Sequence, residues 1–246
     1  MSNFWKKFRI RLKIFFRIPV SDDDLLYLFK QMNFKLLNKI NLSPQNEVLM
    51  VNFNSFDLFK WFVRYHALRE PAQLAILDNE EFFKYYVGLR RLDPNTELEF
   101  VKIGNKEWIE HYIFMYSLSP PAEELLIKNC DYYMFMRYIK MHRLSSETES
   151  ALILSGNEKF INSYIDWHHF RRRAEQLLID VGNRELLKKY ICRYKIHEDV
   201  QPKLISTGDL ELLKLFADRY SFCYWGKIAI FDSGDVELFE VCTKRR

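Results

Sequence analysis

The sequence predicts an all-α chain: a right-handed α-solenoid of about eight helix-turn-helix repeats of 26 residues. Three observations carry this expectation. Five of the seven glycines, Gly104, Gly156, Gly182, Gly208 and Gly234, are spaced by 52, 26, 26 and 26 residues, and self-similarity at a fixed period is the signature of a repeat architecture. The residue after each glycine is a favoured helix N-cap, Asn or Asp. Apolar residues then recur four, five, eight and nine places after the glycine, as in Leu186, Leu187, Tyr190 and Ile191, which is helical periodicity. Cys130, Asp78 and Asn54 continue the series backward, giving eight anchors with one interval of 24, where a two-residue indel falls.

Each unit reads in order from its anchor. The N-caps are Ser55, Asn79, Asn105, Asp131, Asn157, Asn183, Asp209 and Asp235. An acid often follows two places later, as at Glu107 and Glu185, where it meets the positive end of the helix dipole. The first helix is expected to run about 12 residues and the second about 8 to 10, both too short to be stable alone in water. An apolar column fourteen after the anchor (Leu68, Leu92, Leu118, Leu144, Phe170, Ile196, Phe222) closes the turn, and Pro44, Pro71, Pro94, Pro120 and Pro121 follow where the second helix begins. That second helix ends at the next anchor, the usual place for a left-handed glycine. The column at twelve (His66, Arg90, Tyr116, His142, His168, Tyr194, Tyr220) forms a ladder along the units. Packing between neighbours is its default role, and reading a ligand the alternative. A further unit is expected at the start, with Leu36, Leu37 and Leu42 placed eight, nine and fourteen after Leu28, and a last helix over 235–243.

Two domains follow: a basic amphipathic segment, 1–20, and a single repeat domain, 21–246. With 48% hydrophobic and 16% aromatic residues the chain can bury a large core and is unlike a disordered one. Seven Gly and seven Pro leave few turns for a sandwich, barrel or Rossmann sheet. The formal charge of +4 is uneven: residues 1–18 hold +6 and no acid, which leaves the rest at −2. Helical spacing puts Trp5, Phe8, Leu12, Phe15 and Phe16 on one face and Lys6, Lys7, Arg9, Lys13 and Arg17 on the other. Three roles use such a helix: a cap whose apolar face covers the first hairpin, docking to an anionic membrane or a partner, and contact with nucleic acid. Residues Arg9–Ile14 also alternate at period two, as a strand would.

The stretch Pro202–Phe216, with relatives at 175–191 and 149–165, resembles the paired helices of an ankyrin repeat, in which a Gly-polar-x-Glu step also joins two short helices. It departs from that family in its shorter unit and in lacking the Thr-Pro-Leu-His start and room for a β-finger. The resemblance implies an interaction surface without chemistry of its own.

No catalytic, cofactor-binding or metal-ligating pattern is expected. The chain contains no GxSxG, Walker loop, dinucleotide fingerprint, HExxH or EF-hand. Cys130, Cys192, Cys223 and Cys242 form no zinc or disulfide framework, so they read as reduced thiols of a cytoplasmic protein that is peripheral to a membrane if its N-terminus docks. His168-His169 beside Asp166 are adjacent residues facing different sides of a helix. Asp22, Asp23 and Asp24 read as a helix start, and Arg171–Arg173 as a solvated charge run with phosphate or acidic-partner docking as the alternative. A protein-binding scaffold is the leading expectation and a nucleic-acid-binding or base-repair scaffold its rival. The candidate partner-binding residues are Trp61, Tyr85, His111, Arg137 and Lys189, seven after the anchor, and Arg91, Arg143 and Lys195, thirteen after it. These columns are mixed, with no continuous basic stripe for a phosphate backbone.

Overall fold

The computed structural model describes residues 3–15 and 17–243, and these are helical, with no strand among them. The chain divides into two compact units, Met1–Ser119 and Pro120–Arg246. The first holds α1 (Asn3–Phe15), α2 (Asp22–Lys30), α3 (Phe34–Leu37), α4 (Pro44–Asn52), α5 (Phe56–Tyr65), α6 (Glu70–Ile76), α7 (Glu80–Val87), α8 (Pro94–Ile103) and α9 (Lys106–Met115). The second holds α10 (Pro120–Asn129), α11 (Tyr132–Met141), α12 (Ser146–Leu154), α13 (Glu158–Trp167), α14 (Arg172–Val181), α15 (Arg184–Arg193), α16 (Gln201–Ser206, entered through a 3-10 turn, Glu198–Val200), α17 (Leu210–Arg219), α18 (Tyr224–Asp232) and α19 (Val236–Thr243). Within each unit the hairpins form a helical repeat array in two layers. In the second unit α11, α13, α15, α17 and α19 pack in succession, as do α10, α12, α14, α16 and α18. In the first, α5 packs on α7, and α6 lies between α4 and α8.

The local signals act as their chemistry dictates. Each first helix from α5 to α17 starts with the side chain of its cap residue accepting a backbone N–H three places on, as Asn183 does from Leu186 at 3.2 Å. Pro44, Pro71, Pro94 and Pro120 sit in the first turn of α4, α6, α8 and α10. The five anchor glycines adopt φ between 64° and 72°, and Asn54 adopts 56°. A Cβ added at Gly182 would meet nothing within 4 Å, so the requirement there is conformational rather than steric crowding. Asp78 and Cys130 are not left-handed, in keeping with the cost of that conformation for residues that carry a Cβ.

Three expectations need correction, and the two-residue indel is located within its interval. The first left-handed stop is Met32, φ 46°, not Leu28. Leu36 and Leu37 therefore lie four and five after it, and α3 is four residues long where α9 has ten. The first helices run ten residues where about 12 were expected, eight in α7. The two-residue indel falls at the end of α6, which has seven residues against ten in α8. Residues Arg9–Ile14 are helical, inside α1.

Within each unit a buried polar column holds the hairpins together. Glu47, Gln73, Glu97, Glu123, Glu149, Glu175 and Gln201 lie on the inner face of successive second helices, each at most 4% exposed. Each accepts the backbone N–H of the cap residue that opens the next second helix: Arg69, Asp93, Ser119, Ser145, Arg171, His197 and Cys223, at 2.6–2.9 Å. That N–H is one of the four a helix start leaves without an intrahelical partner, and burying it unpaired costs about 1–3 kcal/mol. Where the column holds Glu97, Glu123, Glu149 or Glu175, the other carboxylate oxygen takes the hydroxyl of Tyr112, Tyr138, Tyr164 or Tyr190, at 2.6–2.8 Å. Tyr112 and Tyr190 in turn accept from Leu92 N–H and Phe170 N–H in the preceding turn, at 3.2 and 3.1 Å. Gln201 turns its amide to Ile196 O at 3.1 Å, and the place fifteen residues on, held by tyrosine after Glu97, Glu123, Glu149 and Glu175, is Phe216, which has no hydroxyl. Burial, reinforced by the adjacent carboxylates, pushes the hydroxyls of Tyr112, Tyr164 and Tyr190 well above their usual range, so they stay protonated donors. Burial likewise raises the carboxyls of Glu47 and Glu175.

The ladder twelve after the anchor joins neighbours in the same way. Arg90 donates to Val63 O at 3.3 Å, Tyr116 to Val87 O at 3.0 Å, and a ring nitrogen of His168 lies 2.5 Å from Ile139 O.

Replacing Gly182 with Val should lower unfolding free energy by about 1–3 kcal/mol, measured by urea denaturation, whereas Gly182→Asn should change it by much less. Tyr190→Phe orphans Phe170 N–H and one Glu175 oxygen, so a loss of about 1–3 kcal/mol is expected. In a Glu175→Gln background, which reproduces the Gln201–Phe216 pairing, the loss should shrink, and an additive double-mutant cycle would refute the coupling. Since the folded-state pKa of Glu175 is raised, its favourable contribution is present below 4.5 and is lost as pH rises through the folded value. The stability of Glu175→Gln relative to wild type should therefore rise as pH is raised above 4.5.

Candidate functional site

The structure disperses the partner-binding candidates. Trp61 is half-buried with its ring 4.9 Å from that of Phe34, and Tyr85 lies edge-on to Phe56 at 5.5 Å. Arg137 is half-buried beside the ring of Tyr133. Lys189 bonds Asp166 at 2.9 Å and Asn162 O at 2.7 Å. Arg91 and Arg143 reach back to the buried column, to Glu97 at 2.8 Å and Glu149 at 3.3 Å. Lys195 lies 3.7 Å from Glu198, and His111 is exposed. Trp61, Tyr85, Lys189 and Arg143, which also donates to His169 O at 2.9 Å, join neighbouring hairpins, while Arg91 and Lys195 pair within their own. The arginine run divides similarly: Arg171 bonds Glu149 at 3.1 Å and also Leu144 O, while Arg172 pairs with Asp199 at 2.8 Å. Among the described residues no group of three His, Cys, Asp or Glu is arranged to hold a metal ion.

A different column is open, and the sequence reading passed over it. Eleven places after the anchor stand Tyr65 and Leu89 in the first unit, 64% and 50% exposed, and Met141 and Trp167 in the second, 39% and 51% exposed. These residues end or adjoin the first helices, one place before the ladder whose hydrogen bonds fix the backbone there. In the second unit the column continues as Arg193 and Arg219, which donate to Asp166 O and Cys192 O. Lys140 lies 5.4 Å over the Trp167 ring. The signal was present in the sequence, because large apolar residues recur at the repeat period, but they lie off the helical core face and so look like scattered surface positions.

The N-terminal helix is turned the opposite way from a cap that buries its apolar face. Asp24, fully buried in α2, takes Arg9 at 2.5 Å on one oxygen and Lys13 at 2.7 Å on the other. Ile10 is buried between these cations along the helix, and Lys6 lies 4.9 Å over the Tyr27 ring. Thus Lys6, Arg9 and Lys13 are engaged by α2, and Asp24 is their acceptor rather than a plain helix-start acid. Phe4, Trp5, Phe8, Leu12 and Phe15 remain 41–78% exposed. The rings of Phe4, Trp5 and Phe8 touch one another at centroid distances of 5.7–6.5 Å, making one patch. Lys7, Arg11 and Arg17 are exposed as well. Phe16, the remaining docking candidate, lies outside the described residues. Burial pushes the Asp24 carboxyl up, but hydrogen bonds from Lys13, Arg9 and Ser21 outweigh it and hold its pKa at about 2. No helix among the described residues is long and apolar enough to cross a membrane.

A depressed folded-state pKa contributes stability that is present above the ordinary value of 3.8 and lost as pH falls through about 2. Acidification through that window should release α1 from α2, and Asp24→Asn should do so at neutral pH. Faster tryptic cleavage after Arg9 and Lys13, by about ten-fold or more with the melting of the repeats unchanged, would show this release; unchanged cleavage would place the anchorage of α1 elsewhere.

No family model, curated protein or solved structure matches the chain.

Proposed function

We propose that the chain is a non-enzymatic repeat scaffold that holds a protein partner along the exposed ends of its first helices. We infer further that its hairpins stack as a right-handed solenoid of about eight repeats, an architecture that presents extended binding surfaces by construction. The observation that carries the reading is a pair of large apolar side chains in each unit, Tyr65 and Leu89 in the first and Met141 and Trp167 in the second, each at least 39% exposed and set at the repeat interval. Aromatic residues and methionine are enriched where proteins meet proteins, and methionine adapts to irregular partner surfaces. The nucleic-acid rival has less support, because Arg91, Arg143 and Lys189 are spent on Glu97, Glu149 and Asp166 instead of standing free for phosphate.

A photo-crosslinking amino acid at position 167, with position 214 on the exposed face of α17 as control, tests the reading. A partner captured at 167 alone should bind the purified chain at least ten-fold more weakly after Trp167→Ala. Equal affinity for wild type and variant would overturn the assignment of this column. Salt-dependent binding of DNA or RNA at low ionic strength would favour the rival.

A further inference from the structure

We propose that the outward face of α1 docks on an anionic lipid bilayer. The geometry separates two jobs that amphipathicity alone leaves mixed. Arg9 and Lys13 fix the helix to Asp24, so its orientation is set from inside the protein. That orientation turns Phe4, Trp5, Phe8, Leu12 and Phe15 away from α2, an arc of about 100° along the full length of the helix by helical spacing. A contiguous apolar patch of this kind on a soluble surface marks an interaction site.

Charge selects the occupant. Lys7 and Arg11 border one edge of the apolar arc, the exposed part of Arg9 borders the other, and Arg17 follows the helix; Lys7, Arg11 and Arg17 are exposed and without an ion pair among the described residues, and residues 1–20 contain no acid to oppose them. A rim that is cationic throughout matches a surface that is anionic throughout, and an aromatic face with a basic border suits the boundary between headgroups and acyl chains. Trp5 is placed for that boundary, where its ring is apolar and its N–H wet. The side chains would enter the interface without the helix leaving α2, because Asp24 holds the opposite side. This inference is independent of the partner column, and Trp167→Ala should leave vesicle binding unchanged.

The test is co-sedimentation of the full chain with vesicles of phosphatidylcholine alone and with 30% phosphatidylserine. Binding is expected on the anionic vesicles and should weaken with added salt. Trp5→Ser with Phe8→Ser should reduce it at least ten-fold without changing the melting temperature, because both side chains are exposed. Replacing Lys7, Arg11 and Arg17 with Gln should cost about five-fold per cation on anionic vesicles and nothing on neutral ones. Failure of the wild-type chain to bind anionic vesicles, or equal binding by Trp5→Ser/Phe8→Ser, would overturn the proposal. So would a concentration-dependent dimer abolished by the same pair of substitutions with no vesicle binding, which would assign the face to a second copy of the chain.

Discussion

Short helices that cannot stand alone depend here on a polar group placed where polar groups are costly. A buried glutamate or glutamine takes the N–H that opens the following second helix, and this acceptor meets its donor only when one hairpin is seated against the next. Apolar packing supplies the larger part of the cohesion, but it is tolerant of small slips. A hydrogen bond between fixed atoms is not, so the column sets the seating of each hairpin. The tyrosines extend the same logic one hairpin backward, and where the sequence has Phe62 or Phe216 at that place, Glu47 turns its second oxygen to the Arg69 guanidinium and Gln201 its amide to Ile196 O.

Much of this fold was legible in the sequence because its signals are local. Caps at Asn105 or Asp209, prolines in the first turn of α4 and α8, and core pairs such as Leu186 and Leu187 act within a few residues of themselves. The glutamate column shares the 26-residue period and was passed over, since an acid in a helix is ordinarily on the surface and its partner lies 22 residues away. The start of the array was misplaced because α3 is shortened and Met32, a residue with no special liking for positive φ, makes the stop.

The candidate surfaces were harder to read, for a related reason. A helical wheel shows that α1 has two faces but not which faces inward, and the deciding residue, Asp24, belongs to another helix. Likewise the columns at seven and thirteen are variable in composition because each pairs with whatever its neighbour offers: a ring at Phe34, a carboxylate at Glu97, an aspartate at Asp166. Contacts within the array therefore account for part of the variability there.

The buried column also governs how such a chain can lengthen. A 26-residue segment carries both halves of the linkage, a donor that the preceding unit satisfies and an acceptor that the following unit satisfies. A tandem duplication of one segment therefore arrives with its valences already matched, and the unit shortened by two residues at the end of α6 keeps the linkage as well. In α18 the corresponding position is Lys227, which is exposed. Duplication of a segment that brings one donor and one acceptor is thus a mutational step that this hydrogen bond permits.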